Sequence, residues 1–385
     1  MILDRRSVLG GLAAFPLLHS TALRAAAGPI VSKIALDGNR IWVAVTIAGR
    51  APELFIVDTG AVVSLIQPSY ARKFGLKALG PVRLRGVGGV QQFLLHKGSD
   101  VVLGGAVRQA SAVFAVPERD LDLPPEAAGL IAAGMLTSVD TELDFEAGEW
   151  RIYPDGRGTR AGFEALPSRI RGGERGGSDY IYVDAVLDGR SYRLLADTGM
   201  PGQVLLAGRA TRGSGLWNDK RPYAPVRSGG IGGAAERGRL VRASRLSLGS
   251  IDLGAPLVSL APPGGSAPFL ADGIIGLELI ERLTLSTDVR GNRLWARRNG
   301  RAPRPERYGL SGLWVEEKGD RLVVADLSPL SPASEAGLKV GDEILGVSLG
   351  QWIAQVARSP GAVVPVSYRR GGEPLHTRLT LRAFL

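Results

Sequence analysis

Short apolar runs with period-two alternation, interrupted every few residues by Gly, Pro or Asp, dominate the chain. The run IWVAVTIAGR (41–50) and the following LFIV (54–57) read as a strand and its hairpin partner; IYVDAVLDGR (181–190) and YRLLA (192–196) read as the same unit again. With 53 Gly and 24 Pro, turn formers exceed the usual share, which predicts many short antiparallel strands and an all-β fold. One early stretch departs from this pattern. AVVSLIQPSYARKFGLK (61–77) predicts a return strand and then a short helix, with Pro68 near its start and Gly75 after its last turn.

Each of the paired runs delivers the chain to the same tripeptide, Asp58-Thr59-Gly60 and Asp197-Thr198-Gly199. A carboxylate at the end of a buried strand, followed by Gly, sits on a tight loop at the rim of a core. Burying it as a lone charge would cost several kcal/mol, so it needs a partner or a proton, and the second Asp is the candidate partner. The frame around the tripeptides also repeats. The Gly-rich turn Gly86-Val87-Gly88-Gly89 recurs as Gly230-Ile231-Gly232-Gly233, and Gly129-Leu130-Ile131-Ala132 recurs as Gly273-Ile274-Ile275-Gly276, followed at equal distances by Asp144 and Asp288. The offset is 139 residues at the tripeptides and 144 at both later landmarks, so the extra residues fall between 199 and 230. An insertion confined to one loop is what duplicated domains tolerate, and the chain reads as two copies of one domain. In both copies the Gly-rich turn lies between strand-like stretches and predicts a mobile hairpin, a flap over a substrate.

Residues 1–27 are laid out as an export signal. Arg5-Arg6 precedes a modestly apolar run from Val8 to Leu23, then Arg24 and Ala25-Ala26-Ala27, and the paired arginines resemble a twin-arginine signal cleaved near Gly28. Cleavage would leave no membrane span and an exported, periplasmic or cell-envelope protein. The expected organisation is then a first lobe over 28–155, a Gly- and Arg-rich linker over 156–177, a second lobe over 178–297, a charged Pro-bearing linker over 298–307 and a third module over 308–385.

Composition narrows the chemistry. The net charge of +10 falls to about +8 without residues 1–27, which hold three arginines and one aspartate. The basic residues are scattered, without a basic helix or aromatic-and-basic alternation, so no nucleic-acid partner is expected. The absence of Cys excludes thiol catalysis and disulfides. His19, His96 and His376 are too dispersed for a Ser-His-Asp triad or a His-rich metal site, and no metal or cofactor is expected.

In the third module, SPASEAGLKVGDEIL has Ser331 as helix N-cap, Pro332 at the first helical position and Gly337 as the stop, and it resembles a PDZ domain. The resemblance places the carboxylate-binding loop of a peptide groove at Ser311-Gly312-Leu313-Trp314. The stretch between Ile344 and Val364 is short for such a domain, so the helix flanking the groove, within QWIAQVAR, is expected to be truncated.

Residues 28–297 resemble the retropepsin-like and pepsin-like aspartic peptidases. The matching elements are both DTG motifs, Ala61, Ser64, the flap turns and Ile274-Ile275-Gly276. The resemblance implies a bilobal pseudo-twofold fold, with Asp58 and Asp197 as the catalytic pair, Thr59 and Thr198 bracing the two loops, and Gly60 and Gly199 permitting close approach. It also implies an endopeptidase acting on proteins or peptides with no cofactor, as a monomer whose lobes pair within one chain. Ala132 stands where the family has Gly, Met200 where Ala, Ser or Thr follows the tripeptide, and Gln203 where the first lobe has Ser64. These departures motivate an alternative, a non-catalytic peptide-binding module of the cell envelope. Ala61 and Met200 lack a hydroxyl that could stabilise the adjacent anion, so the pair is expected to work at weakly acidic to neutral pH.

Overall fold

The structure, a computed structural model, describes residues 28–86, 89–171, 177–228, 236–265 and 271–385. About half of these residues are in strands, and the sheets divide the chain into two related lobes, a sheet shared between them and a C-terminal module. The expected export segment 1–27 lies outside the described residues.

Each lobe is built on the same crossing. In the first, Glu53–Val57 runs parallel to Ala127–Ile131, which pairs antiparallel with Ser64–Ile66 on its other side. In the second, Arg190–Asp197 runs parallel to Gly273–Gly276, which pairs with Val204–Leu206. The runs ELFIV, AAGLI and GIIG are almost wholly buried, as expected for strands covered on both faces. The short helix after the first tripeptide spans Pro68–Phe74, with Pro at its start and Gly75 closing it at φ +65°. Its second-lobe counterpart is Gly208–Ser214, closed by Gly215 at φ +74°.

The lobes meet in a six-stranded antiparallel sheet ordered Ile30–Lys33, Glu149–Tyr153, Asp140–Asp144, Leu283–Asp288, Arg293–Arg298, Glu164–Ala165. Leu143 pairs with Leu285 at its centre, and the Thr141 and Thr287 hydroxyls are 3.0 Å apart in a buried hydrogen bond. One continuous apolar core runs through both lobes by way of this sheet, from Ile34 to Ala296. Asp144 and Asp288, the expected repeat markers, each accept backbone N–H bonds in the turn that follows, from Glu146 (3.0 Å) and Gly291 (2.8 Å).

The segment 156–177, expected to be a linker, is part of the second repeat. Glu164 pairs with Ala296 as Ile30 pairs with Ile152, and Ile170 pairs with Ile181 in the strand that leads to the second tripeptide. Strands of two and four residues, rich in Arg and flanked by Gly, do not announce themselves by alternation, which is why the segment reads as linker.

The C-terminal module has its own core around Val324, Ala333, Leu338, Trp352 and Val366, and a sheet with Leu313–Lys318 at one edge. Helix Pro332–Glu335 starts at Ser331, whose hydroxyl accepts from Ser334 N–H at 3.3 Å. The helix expected within QWIAQVAR spans Leu349–Val356, and Ser348 and Gln351 form a reciprocal cap at its start. The module is docked on the second lobe. Tyr223 donates its hydroxyl to Asp326 (2.8 Å) and its N–H to Ser328 (2.8 Å), and Glu316 pairs with Arg227 and with Arg237 (2.6 Å). The connecting segment is also tied down, by Arg304 on Glu281 and by Glu306 on Arg242. Tyr223 ends the loop that accounts for the second lobe's extra length, between the helix closing at Gly215 and the strand Ala224–Ser228.

Since a buried hydrogen bond is worth about 1 kcal/mol, or roughly fivefold in a local equilibrium, Tyr223→Phe combined with Glu316→Ala should loosen this dock. The expected result is a several-fold faster limited proteolysis between residues 299 and 312, with the module's own melting transition unchanged. An unaltered cleavage rate would mean that these contacts do not hold the module in place.

Candidate active site

The two parallel strand crossings end side by side and bring the tripeptides face to face. Asp58 is held by its N–H on the Ile131 carbonyl (2.8 Å), and Asp197 pairs with Gly276. Below the carboxylates the threonines interlock. Thr59 Oγ1 accepts from Thr198 N–H (3.0 Å) and donates to the Ala196 carbonyl (2.7 Å), while Thr198 Oγ1 accepts from Thr59 N–H (3.1 Å) and donates to the Val57 carbonyl (2.8 Å). Both threonines are buried. Four bonds thus cross the pseudo-twofold axis, each lobe supplying two donors and two acceptors on its loop.

The glycines make the approach possible. A β-carbon on Gly60 would stand 2.5 Å from the Asp197 carboxyl carbon, and one on Gly199 would stand 2.5 Å from that of Asp58. Any side chain at either position would push the carboxylates apart. Asp58 and Asp197 face each other within hydrogen-bonding reach.

Two carboxyls in contact cannot both ionise readily, and the local donors decide which keeps the proton. Burial raises the pKa of Asp58 well above the ordinary value, the Asp197 charge and hydrogen bond raise it further, and Gly60 N–H and Arg40 only partly oppose this. Burial also raises Asp197, but more donors oppose it: the N–H groups of Gly199 (2.8 Å) and Met200 (3.2 Å), the hydrogen bond from Asp58 and the N–H of Gly60. Both carboxyls are thus raised, Asp58 further than Asp197, which favours a pair that holds one proton between them. The asymmetry comes from the backbone: Met200 N–H turns to the Asp197 carboxylate, whereas its counterpart, Ala61 N–H, turns to the Asp58 carbonyl (3.2 Å). Side-chain identities after the two tripeptides carry no signal of this.

The departures in the second lobe are repaired locally. In the first lobe Ser64 Oγ accepts from Ala132 N–H at 3.1 Å; in the second the backbone carbonyl of Gln203 accepts from Gly276 N–H at 2.8 Å. The bond survives although the side chain changed. Gly276 is required by the backbone around it, since a β-carbon there would stand 2.3 Å from the Gly202 carbonyl oxygen and 2.8 Å from that of Met200.

Above the pair lies a cleft of about 640 Å³ lined by Ile56, Leu84, Phe93, Leu121, Tyr180 and Met200 among others. Leu84 and Phe93 belong to the long hairpin of Lys77–Gly86 and Gly89–Leu103, closed by the Gly86–Gly89 pair. Val87 and Gly88, the tip of that expected flap, lie outside the described residues, as do Gly230, Ile231, Gly232 and Gly233. Among the described residues of the second hairpin none lines the cleft; its strands pack on the C-terminal module instead. At the expected carboxylate-binding loop, Gly312 N–H bonds to the Gly309 carbonyl (3.3 Å) and Leu313 N–H to the Ser311 hydroxyl (3.4 Å). Trp314 stacks under Arg227 of the second lobe. That loop therefore does not present a row of free N–H groups. Among the described residues, no group of His, Cys, Asp and Glu is placed to hold a metal ion.

Residues 43–133 match the family model described as Aspartyl protease. The match contains Asp58-Thr59-Gly60 and the long hairpin and stops before the second tripeptide. Among solved structures, the aspartic proteinase from Irpex lacteus is similar over 71% of this chain and 98% of its own, with 13% identity and a TM-score of 0.44. No curated protein matches.

Two measurements test this geometry. Thr59→Val and Thr198→Val each remove a hydroxyl and leave buried partners unsatisfied, and each should destabilise the two-lobe unit by about 1–3 kcal/mol in denaturant titration. A smaller loss for both would show that the interlock does not hold the loops. The second test is electrostatic. The unfolded chain releases these protons near pH 3.9, whereas the raised values keep a proton in the folded state, so stability falls as pH rises from about 4 through the folded value of Asp58. Asp58→Asn should therefore melt roughly 2 °C or more above the parent at pH 7, with the difference closing near pH 3.5. A variant less stable than the parent at pH 7 would contradict the assignment.

Proposed function

We propose that the chain is an exported aspartic endopeptidase whose catalytic pair is Asp58 and Asp197. The observation that carries this reading is the hydrogen-bonded carboxyl pair held by reciprocal threonines at the floor of a largely apolar cleft. In the proposed reaction a water between the carboxyls gives a proton to ionised Asp197, and its oxygen forms a bond to the scissile carbonyl carbon. Protonated Asp58 donates a hydrogen bond to the developing oxyanion. Collapse breaks the carbon–nitrogen bond, a proton passes to the leaving amine, and the pair ends with the single proton it began with. The apolar cleft walls suit an extended peptide with apolar side chains, and the long first-lobe hairpin overhangs it.

The C-terminal module is proposed to act as a PDZ domain that selects substrates. Its strand Leu313–Lys318 is the edge strand of the sheet, unpaired on its outer side among the described residues although it packs near Ala224–Ser228, and lies beside helix Leu349–Val356, where Ile353 is exposed; an internal peptide segment adding as a strand suits this groove better than a chain terminus, given the engaged N–H groups at Gly312 and Leu313. The expected signal layout of residues 1–27 supports export, with a mature chain beginning near Gly28, two residues before the first strand.

Incubation of the purified protein with an unfolded substrate protein, with Asp58→Asn and Asp197→Asn as controls, tests the central reading. The parent should cleave at weakly acidic to neutral pH and each variant should lose at least about a thousandfold in kcat/KM. Equal behaviour of all three proteins, or activity confined below about pH 4, would overturn it. Removing residues 308–385 should alter which proteins are cut while sparing short-peptide hydrolysis; equal loss of both would make the docked module structural.

A further inference from the structure

Besides the carboxyl pair, two charged side chains line the cleft, Arg40 and Asp122. Arg40 opens the strand Arg40–Ile47 and is half-buried. Among the described residues its guanidinium makes one hydrogen bond, to the carbonyl of the neighbouring Asn39 (3.2 Å), and no carboxylate lies within ion-pair distance. Its positive charge is nonetheless felt at Asp58. Asn39, next to it in the turn, accepts a hydrogen bond from Arg304 of the segment that connects the second lobe to the C-terminal module. A half-buried guanidinium without an ion-pair partner among the described residues, in a cleft walled mainly by apolar groups, is a strong place to bind an anion because little water competes there.

The duplication shows what is unusual about it. Trp42 and Tyr182 occupy equivalent register positions, opposite Ile56 and Leu195, so Arg40 corresponds to Tyr180 across the pseudo-twofold axis. Tyr180 also lines the cleft, buried and edge-on to Tyr182 with centroids 5.9 Å apart. One side of the carboxyl pair thus carries a cation where the other carries a neutral ring. A peptide lying across a symmetric pair meets an asymmetric cleft.

We propose that Arg40 binds a carboxylate of the substrate, making this an enzyme that prefers peptides with an acidic group on one side of the scissile bond and an apolar or aromatic residue on the other. This rests on the peptidase reading of the cleft and adds its substrate class. The carboxylate comes from a Glu or Asp side chain or from a nearby chain terminus.

The test uses the full chain and internally quenched peptides, amidated at the C-terminus, that differ only in Glu, Gln or Lys at each position within three residues of the cut. At one position the parent should cleave the Glu peptide at least about tenfold faster in kcat/KM than the Gln peptide at pH 6. That ratio should fall towards one below about pH 4, as the Glu side chain takes up a proton. Arg40→Gln should bring the ratio to within about twofold of unity, Arg40→Glu should invert it in favour of Lys, and Arg40→Lys should restore part of it. Free-acid versions of the Gln peptides separate a terminal carboxylate from a side-chain one, and a gain from either, lost in Arg40→Gln, supports the assignment. No discrimination by the parent, or discrimination retained in Arg40→Gln, overturns it; a shifted pH profile alone would mean that Arg40 only tunes Asp58. If no peptide is hydrolysed, the peptidase reading fails, and fluorescence anisotropy with the same labelled peptides decides the role of Arg40. Preferential binding of the acidic peptide that disappears in Arg40→Gln keeps the assignment, and equal or absent binding ends it.

Discussion

Two threonine hydroxyls hold the site together. Each accepts an N–H from the opposite loop and donates to a carbonyl of the opposite strand, so neither loop can move without breaking bonds on both sides of the axis. Because both hydroxyls are buried, water cannot replace the lost partners, and the interlock resists opening more than its bond count suggests. The carboxyls above it are forced into contact as a consequence. Their mutual repulsion is relieved by a shared proton, and the protein tolerates the arrangement because a shared inter-lobe sheet and a common core hold the two halves in place.

Symmetry in this molecule is kept where it holds the pair and abandoned elsewhere. The Gly60 and Gly199 contacts are near-identical, yet Ser64 and Gln203 reach the same N–H bond by different atoms, one by side chain and one by backbone. The second lobe has also been given a different outer surface. Its lengthened loop and its hairpin strands carry Tyr223, Arg227 and Arg237, which seat the C-terminal module, while the first-lobe hairpin remains over the cleft. The duplicated hairpin has thus been divided between two tasks.

The duplication, the paired Asp-Thr-Gly loops and the helix from Pro68 to Phe74 were legible because each rests on local chemistry: strand alternation, a Gly that admits close approach, a Pro that starts and a Gly that stops a helix. The true start of the second repeat was not legible, since Glu164–Ala165 and Ser168–Arg171 gain their strand character only by pairing with distant partners. The unequal surroundings of the two carboxyls were hidden for a similar reason, as they depend on where the Met200 and Ala61 N–H groups point. Arg40 drew no attention in the sequence, where it is one of many scattered arginines; only the fold shows it lining the cleft, with no ion pair to it among the described residues.

The central claim is that two carboxyls, one from each half, are held in contact and share one proton. Neutron diffraction from deuterated crystals at pD near 6 observes this directly. The account predicts a single deuteron between the two groups. Carboxyls standing apart with separate solvent shells, or a pair with no deuteron between them, would contradict it.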